Sequence, residues 1–269
     1  MLINQAMEKL AQMKLEGFLD GLREQMGSPA FGDMPFEDRL GLLVDREYTL
    51  RENRRLTRRL QETRLKTRAD VEDVDFRAKR GLDKRVYLEL AGCSWISRQH
   101  NLIITGPTGV GKSYLACALG RKACREGYRS IYYRFSDFIR ELTISVVDGS
   151  YPKLAAKLAK RDLLIIDDWL RDPVSADQAR QIIDILDDRF RSKSTLLTSQ
   201  APVPSWHERF KDPTLADAIL DRLVHDAHRL ELKGDSMRKN TSPLTENGHL
   251  TERSDAGFGT LWELVSWGQ

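Results

Sequence analysis

The chain has 269 residues and a mass of 30.9 kDa, enough for one sizeable core plus a small accessory domain. A hydrophobic share of 41%, a charged share of 31% and a mean hydropathy of -0.48 fit a soluble globular protein, and no apolar run approaches the roughly 18 residues of a membrane span. The net charge of +3 is too small to select a partner, and three cysteines (Cys93, Cys117, Cys124) without metal-like spacing read as buried thiols of a reducing cytoplasm.

The first 90 or so residues read as helical. Met7, Leu10, Leu15, Phe18, Leu19 and Leu22 recur at helical spacing and draw one apolar stripe, which Gly27-Ser28-Pro29 and Gly32-Asp33 interrupt. This N-terminal segment has neither a long apolar core nor a small-residue cleavage site, so no signal peptide is expected. A second helix is predicted from Pro35 through Leu40, Leu43, Leu50, Leu56 and Leu60 towards Leu65. A third, short one is predicted before Leu82. Between Arg51 and Arg68 the chain carries eight basic residues against two acidic ones, a patch of one sign suited to a polyanion. On a helix Arg51, Arg54, Arg55, Arg58 and Arg59 lie largely on one side, and guanidinium groups on such a ridge suit DNA phosphates without reading bases. Lys153, Lys157, Lys160 and Arg161 form a second candidate patch.

From Asn101 the pattern changes. Leu102–Thr105, Ser130–Tyr133, Leu163–Ile166, Thr195–Thr198 and Arg229–Leu232 are short, mostly continuous apolar runs, as buried parallel strands require. Helices are predicted over Lys112–Glu126 and Asp177–Arg191, and Ser136 or Asp137 is a candidate cap for a helix after the second strand. Strands alternating with helices imply an α/β fold with helices on both faces of a parallel sheet. After Arg238 the sequence turns polar, and 241–269 reads as a flexible tail.

Gly106-Pro107-Thr108-Gly109-Val110-Gly111-Lys112-Ser113 matches G-x-x-x-x-G-K-[ST] at every fixed position, between a predicted strand and a predicted helix. Such a loop turns several backbone amides toward one anion at a helix N-terminus. Lys112 is expected to reach the β- and γ-phosphates of ATP, Ser113 to ligate Mg²⁺, and Tyr114 to follow at the mouth of the site. Asp167 and Asp168 end the strand Leu163–Ile166 and supply the acidic pair that such a site needs. Asp167 is expected to hold Mg²⁺ opposite Ser113, and Asp168 to orient or activate the attacking water. His225 and His228 lack further ligands, so no zinc site is expected.

The segments GPTGVGKSYLACALG, DLLIIDDW, STLLTSQAP and DPTLADAILDRLVHDAHRLELKGDSMRK together resemble the IstB family of insertion-sequence helper ATPases. These belong to the AAA+ class and are similar to the helicase loader DnaC; the resemblance covers roughly residues 1 to 240. It implies a P-loop NTPase (AAA+) core, three layers about a parallel sheet, over 91–240. It also implies an all-helical DNA-binding and oligomerisation domain over 1–90 and a reduced or absent lid. Ser199 stands where the class carries a polar sensor of the γ-phosphate, with Thr198 or Gln200 as possible sharers of that role. Arg222 resembles the arginine that reaches a neighbouring subunit's ATP, and Arg238 the sensor arginine of its own subunit. The resemblance further implies double-stranded DNA, a cognate transposase and other copies of the chain as partners, with no membrane. The rival readings are a helicase loader and an ATP-gated DNA scaffold with negligible turnover.

Overall fold

The computed structural model describes residues 2–237, so the expectations for Arg238 and for the tail 241–269 fall outside the described residues. Three helices come first: α1 (Leu2–Gln12), α2 (Glu16–Gly27) and α3 (Phe36–Thr63). The single apolar stripe expected over Met7–Leu22 is shared between α1 and α2. The chain reverses at Lys14, which adopts a left-handed φ of 56°, and the Leu15 amide closes the turn on the Leu10 carbonyl at 3.0 Å.

α2 lies against α3 at very short range. A Cβ on Gly17 would stand 2.9 Å from the Glu47 Cα, and one on Gly21 would stand 2.8 Å from a Leu43 methyl. Glu47 joins the two helices, accepting from the Phe18 amide at 3.1 Å and from Arg51 Nε at 2.6 Å. Burial alone would raise the Glu47 pKa, but Arg51 and the backbone amides together hold it below its usual value.

The short helix expected before Leu82 forms after it, as α4 (Lys84–Ala91). Asp83 determines that start, since its carboxylate accepts from the Arg85 amide at 2.7 Å and the Val86 amide at 3.1 Å. Residues 64–83 form no helix or strand. They nevertheless pack on the sheet, with Ala69, Val71 and Val74 in the same buried cluster as Leu102, Leu115 and Ile165.

After α5 (Ser94–Ser97) comes the α/β core: β1 (Asn101–Thr105), α6 (Lys112–Arg125), β2 (Ser130–Arg134), α7 (Phe135–Val147), α8 (Tyr151–Ala159), β3 (Leu163–Asp167), α9 (Ala176–Arg189), β4 (Ser194–Ser199), α10 (Pro213–Val224) and β5 (Ala227–Glu231). All strand pairs are parallel, in the order β2-β3-β4-β1-β5. The expected parallel sheet is therefore present. The cap expected of Ser136 or Asp137 is not made, because α7 already begins at Phe135 and both residues lie inside it.

Successive strand side chains point to opposite faces, and each face has its own core. Leu102, Ile104, Ile165 and Leu196 meet α4 and α6, whereas Ile103, Ile131, Leu164, Ile166 and Leu197 meet α7, α8, α9 and α10. Ligand sites in open parallel sheets form beyond the carboxyl ends of the strands. Here that edge carries the residues after Thr105, Asp167 and Ser199. No helix follows β5 among the described residues; the chain instead crosses the loop after β1, where the Met237 amide donates to the Gly109 carbonyl at 2.9 Å. No described helix is long and apolar enough to cross a membrane.

Arg189 holds the far end of the sheet together. It is 1% exposed, and its guanidinium donates to the carbonyls of Leu158 and Arg161 at 2.7 and 2.8 Å and also to Ser194 O. Burial pushes its pKa down to about 10. Arg189→Met keeps the bulk but takes the guanidinium donor from three carbonyls, of which Leu158 O keeps the Arg161 amide at 3.1 Å. A stability loss of about 3 kcal/mol is expected, read as a lower urea midpoint at unchanged slope.

Candidate active site

The loop Gly106–Ser113 leaves β1 and enters α6 at Lys112. Gly109 (φ 88°) and Gly111 (φ 95°) take left-handed conformations, and a Cβ on Gly111 would lie 2.5 Å from a guanidinium nitrogen of Arg80. Lys112 is buried and curls back over the loop, its ammonium donating to the carbonyls of Gly106 at 2.7 Å and Pro107 at 2.8 Å. Burial lowers its pKa, while the nearby Asp168 and Asp167 carboxylates oppose that shift.

Asp167 ends β3 two strands away from β1, and it is fully buried. Three hydroxyls converge on it. Ser113 Oγ donates to Oδ1 at 2.8 Å, Tyr132 to Oδ2 at 2.7 Å, and Thr198 also donates to Oδ1. The Lys66 ammonium stands 3.9 Å from Oδ2. The Tyr132 hydroxyl is held far above its usual pKa, by burial first and then by the Asp167 charge, so it stays a proton donor. The Ser113–Asp167 contact spans the gap that the two sequence motifs leave between them.

Asp168 follows in a left-handed conformation, φ 58°, and its amide donates to Thr198 Oγ1 at 3.0 Å. Strain of this kind in a non-glycine residue persists only where surroundings enforce it. Here it turns Asp168 away from the sheet and onto the wall of a cavity of about 780 Å³, opposite the loop. That volume suits a nucleotide-sized ligand. Thr108, Gly109, Gly111, Ser113 and Tyr114 line this space, while Gly106 and Pro107 give their carbonyls to Lys112 and Val110 gives its carbonyl to Arg80.

The sheet's alternation sorts the residues around Ser199. Thr198 faces Asp167, whereas the Ser199 hydroxyl lies on the opposite face and donates to the Trp169 carbonyl at 3.0 Å. Gln200 Oε1 accepts from Thr108 of the loop at 2.8 Å. The side chains that reach the carboxylate pair and the loop are therefore those of Thr198 and Gln200, while the buried Ser199 hydroxyl is engaged with Trp169.

Arg222 lies on α10, and its carbonyl accepts from Asn101 at the start of β1, the strand end opposite the phosphate loop. Its guanidinium pairs with Asp187 and lies 6.0 Å from the Phe190 ring. It cannot contact its own loop from there.

Sequence reasoning missed Lys66, Arg80 and Tyr132. Arg80 is buried, and its guanidinium donates to the carbonyls of Val110 at 3.0 Å and Asp75 at 2.8 Å, tying the irregular 64–83 segment to the loop. No local pattern signals these residues, because their place depends on strand order and on a segment without periodicity.

The five arginines expected to hold DNA all have partners in the protein. Arg51 pairs with Glu47, Arg54 with Glu16, Arg55 with Glu52, Arg58 with Glu62 and Arg59 with Glu52. The expectation that two acidic residues leave this charge unbalanced overlooked Glu16 on α2 and Glu47 one turn upstream. Arg51 and Arg59 serve packing, since Arg59 also donates to the Cys124 carbonyl at 3.0 Å. Arg54, Arg55 and Arg58 keep side-chain exposures of 55%, 64% and 82%, so their ion pairs are weak and exchangeable. In the second patch, Arg161 pairs with Glu62 at 2.7 Å and Lys157 with Glu141 at 3.4 Å.

A family model described as IstB-like ATP binding protein matches residues 8–245. A protein named as an insertion sequence ATP-binding protein of Sinorhizobium fredii is 43% identical over 240 residues, covering 89% of this chain and 98% of that relative. Among solved structures, the crystal structure of DnaI aligns with a TM-score of 0.52 at 22% identity, covering 61% of this chain and 91% of that one. AMPPCP-bound DnaA from Aquifex aeolicus aligns with a TM-score of 0.53 at 21% identity, covering 64% of this chain and 52% of that one. At these identities the two structures bear on the fold alone.

Proposed function

The chain belongs to the family of IstB-like ATP binding proteins, and from that premise we propose that it hydrolyses ATP in a DNA-bound homo-oligomer that selects target DNA and recruits or stimulates a transposase. The observation that carries the catalytic half is the 2.8 Å contact between Ser113 Oγ and Asp167 Oδ1 beside the loop. Two hard oxygen donors at this separation fit Mg²⁺, which takes few protein ligands and completes its shell with water and phosphate oxygens. The approach of Lys66 to the same carboxylate supports a cation there. When bound, Mg²⁺ supplies charge neutralisation at the β- and γ-phosphates.

The chain's own groups divide the remaining work. Lys112 leaves the loop carbonyls for the phosphates, since its ammonium and the loop amides complement the same oxygens. Asp168 holds the attacking water from the opposite wall. Thr198 fixes both carboxylates at once, through the Asp167 side chain and the Asp168 amide. Gln200 shares the sensing of the γ-phosphate, a role supported by its hydrogen bond with Thr108 of the loop. Arg222, remote from its own loop, serves a neighbour's ATP once it exchanges Asp187 for phosphate oxygens; its planar fork suits both partners. Arg238 acts as the sensor arginine within its own subunit. A site shared in this way makes turnover depend on assembly.

The DNA half of the proposal is supported by the exposed guanidinium groups of Arg54, Arg55 and Arg58 on α3. A phosphate backbone can compete for them because exposed ion pairs contribute little. The transposase is inferred from the relatives, which are named for insertion sequences. Phosphate release measured with and without random-sequence duplex tests the whole reading: duplex should raise the rate, and a rate indifferent to DNA would reject it. Reversal of Arg54, Arg55 and Arg58 to glutamate should weaken duplex binding and lower the salt slope by about 2 to 3. An unchanged slope would place DNA elsewhere.

A further inference from the structure

A second cavity, of about 660 Å³, opens where the end of α3, the carboxyl end of β2 and α7 meet. Arg64, Lys66, Arg134 and Arg140 line it, with Asp137 and Glu141 as the acidic members. Both acids are engaged: Asp137 accepts from Arg140 of the same wall at 2.7 Å, and Glu141 accepts from Lys157, outside the lining, at 3.4 Å. Arg64 and Arg134 are exposed and have no carboxylate partner among the described residues. This sets them apart from the five arginines between Arg51 and Arg59 on α3, each of which has one.

Lys66 gives the cavity a connection. Its ammonium lines this space and the nucleotide-sized one alike, and it stands 3.9 Å from Asp167 Oδ2. Tyr132 lines only the second cavity, from the sheet side, and its hydroxyl donates to Asp167 at 2.7 Å. Lys66 is thus common to both spaces, and it and Tyr132 both reach the carboxylate of Asp167.

We infer that this cavity is an anion site for one or two phosphodiesters of the DNA backbone, and that Lys66 couples its occupancy to Asp167. The inference rests on the proposed DNA partner and deepens it. Two guanidinium groups without counter-charge, in a concave and hydrogen-bonding wall, favour phosphate oxygens over water. The path along α3 fits the same ligand. Arg58 and Arg64 are six residues apart. That is about 9 Å of helix axis, against 3.4 Å of rise per nucleotide on one strand. A duplex lying parallel to α3 and meeting Arg58 would reach the cavity two or three nucleotides later.

The coupling follows from charge. A phosphate in the cavity draws the Lys66 ammonium away from Asp167 and leaves that carboxylate free for the metal. Occupancy of the metal position repels the same ammonium into the cavity, where it adds to the phosphate site. Linkage makes the two effects equal: ATP tightens DNA binding by the factor by which DNA tightens ATP binding.

The test uses the full chain, a fluorescein-labelled random-sequence duplex read by anisotropy, and a non-hydrolysable ATP analogue. Arg64→Gln with Arg134→Gln should lower duplex affinity about tenfold and the salt slope by about 2, with DNA-free phosphate release unchanged. Lys66→Met should bring the ratio of duplex affinities with and without the analogue close to one. A wild type that binds no duplex rejects the proposed function together with this site. A wild type that binds duplex beside a double variant of equal affinity and slope rejects the site alone. Retention of the analogue's effect in Lys66→Met overturns the coupling. If the double variant loses affinity for polyglutamate but keeps it for duplex, the cavity takes an acidic polypeptide instead, and the inference fails.

Discussion

Lys112→Ala abolishes measurable ATP binding. The lysine is buried at the start of α6, and its ammonium already sits within the loop, 2.7 and 2.8 Å from two of its carbonyls. Two charge-assisted hydrogen bonds from this ammonium to bound phosphate would be worth about 1.5–3 kcal/mol each, so their loss is expected to lower affinity by about two to four orders of magnitude. The fold should survive, because the loop carbonyls that Lys112 serves lie beside an open cavity and can turn to water. Calorimetric titration with ATP checks both points, since heats of binding should vanish while the urea midpoint stays near that of the wild type. Retained binding would remove the phosphate loop from the account.

Asp167→Asn is expected to lower phosphate release a hundredfold or more, the scale of losing one preorganised charge at a phosphoryl-transfer site. The substitution keeps the size of a fully buried side chain and one acceptor oxygen for Ser113 and Thr198. It places an amide where Tyr132 donates, and it removes the charge that Lys66 faces. Folding therefore suffers by only about 1–2 kcal/mol, whereas metal-dependent turnover collapses. Single-turnover phosphate release separates the effects, because weakened folding would lower the amplitude and the lost metal charge lowers the rate.

The parts of this molecule that the sequence made legible are those with a period or a fixed spacing. Four apolar runs became the buried strands β1 to β4 because buried strands need continuous hydrophobicity, the more polar β5 lies at the sheet edge, and α6 begins at Lys112, where the loop motif places a helix. The contact between Ser113 and Asp167, 54 positions apart, was legible because two motifs of one chemistry each demanded the other. What stayed hidden depends on partners distant in sequence. Glu16 neutralises Arg54 across 38 positions, so counting acids within the arginine-rich stretch misjudged its charge. Ser199 and Thr198 differ only in which face of β4 they occupy, and the face is fixed by strand order rather than by residue type. Residues 64–83 carry neither helical nor strand periodicity, yet Ala69, Val71 and Val74 are buried in the core and Arg80 braces the loop. Irregular chain is ordered by what it touches, and a one-dimensional pattern does not record that.

The two carboxyl ends that build the site, of β1 and β3, are separated by β4, and Thr198 bridges the interval. This explains why a modest hydroxyl matters. It holds the Asp167 side chain toward Ser113 and the Asp168 backbone in its left-handed turn, so one residue positions both carboxylates.

The central claim is that ATP phosphates and Mg²⁺ meet at Lys112, Ser113 and Asp167. Titration of a fluorescent ATP analogue into the wild type, Ser113→Ala and Asp167→Asn, each with Mg²⁺ and with a chelator, measures it most directly. The account predicts that Mg²⁺ tightens binding in the wild type and has little effect in either variant. Full tightening by Mg²⁺ in both variants would contradict it.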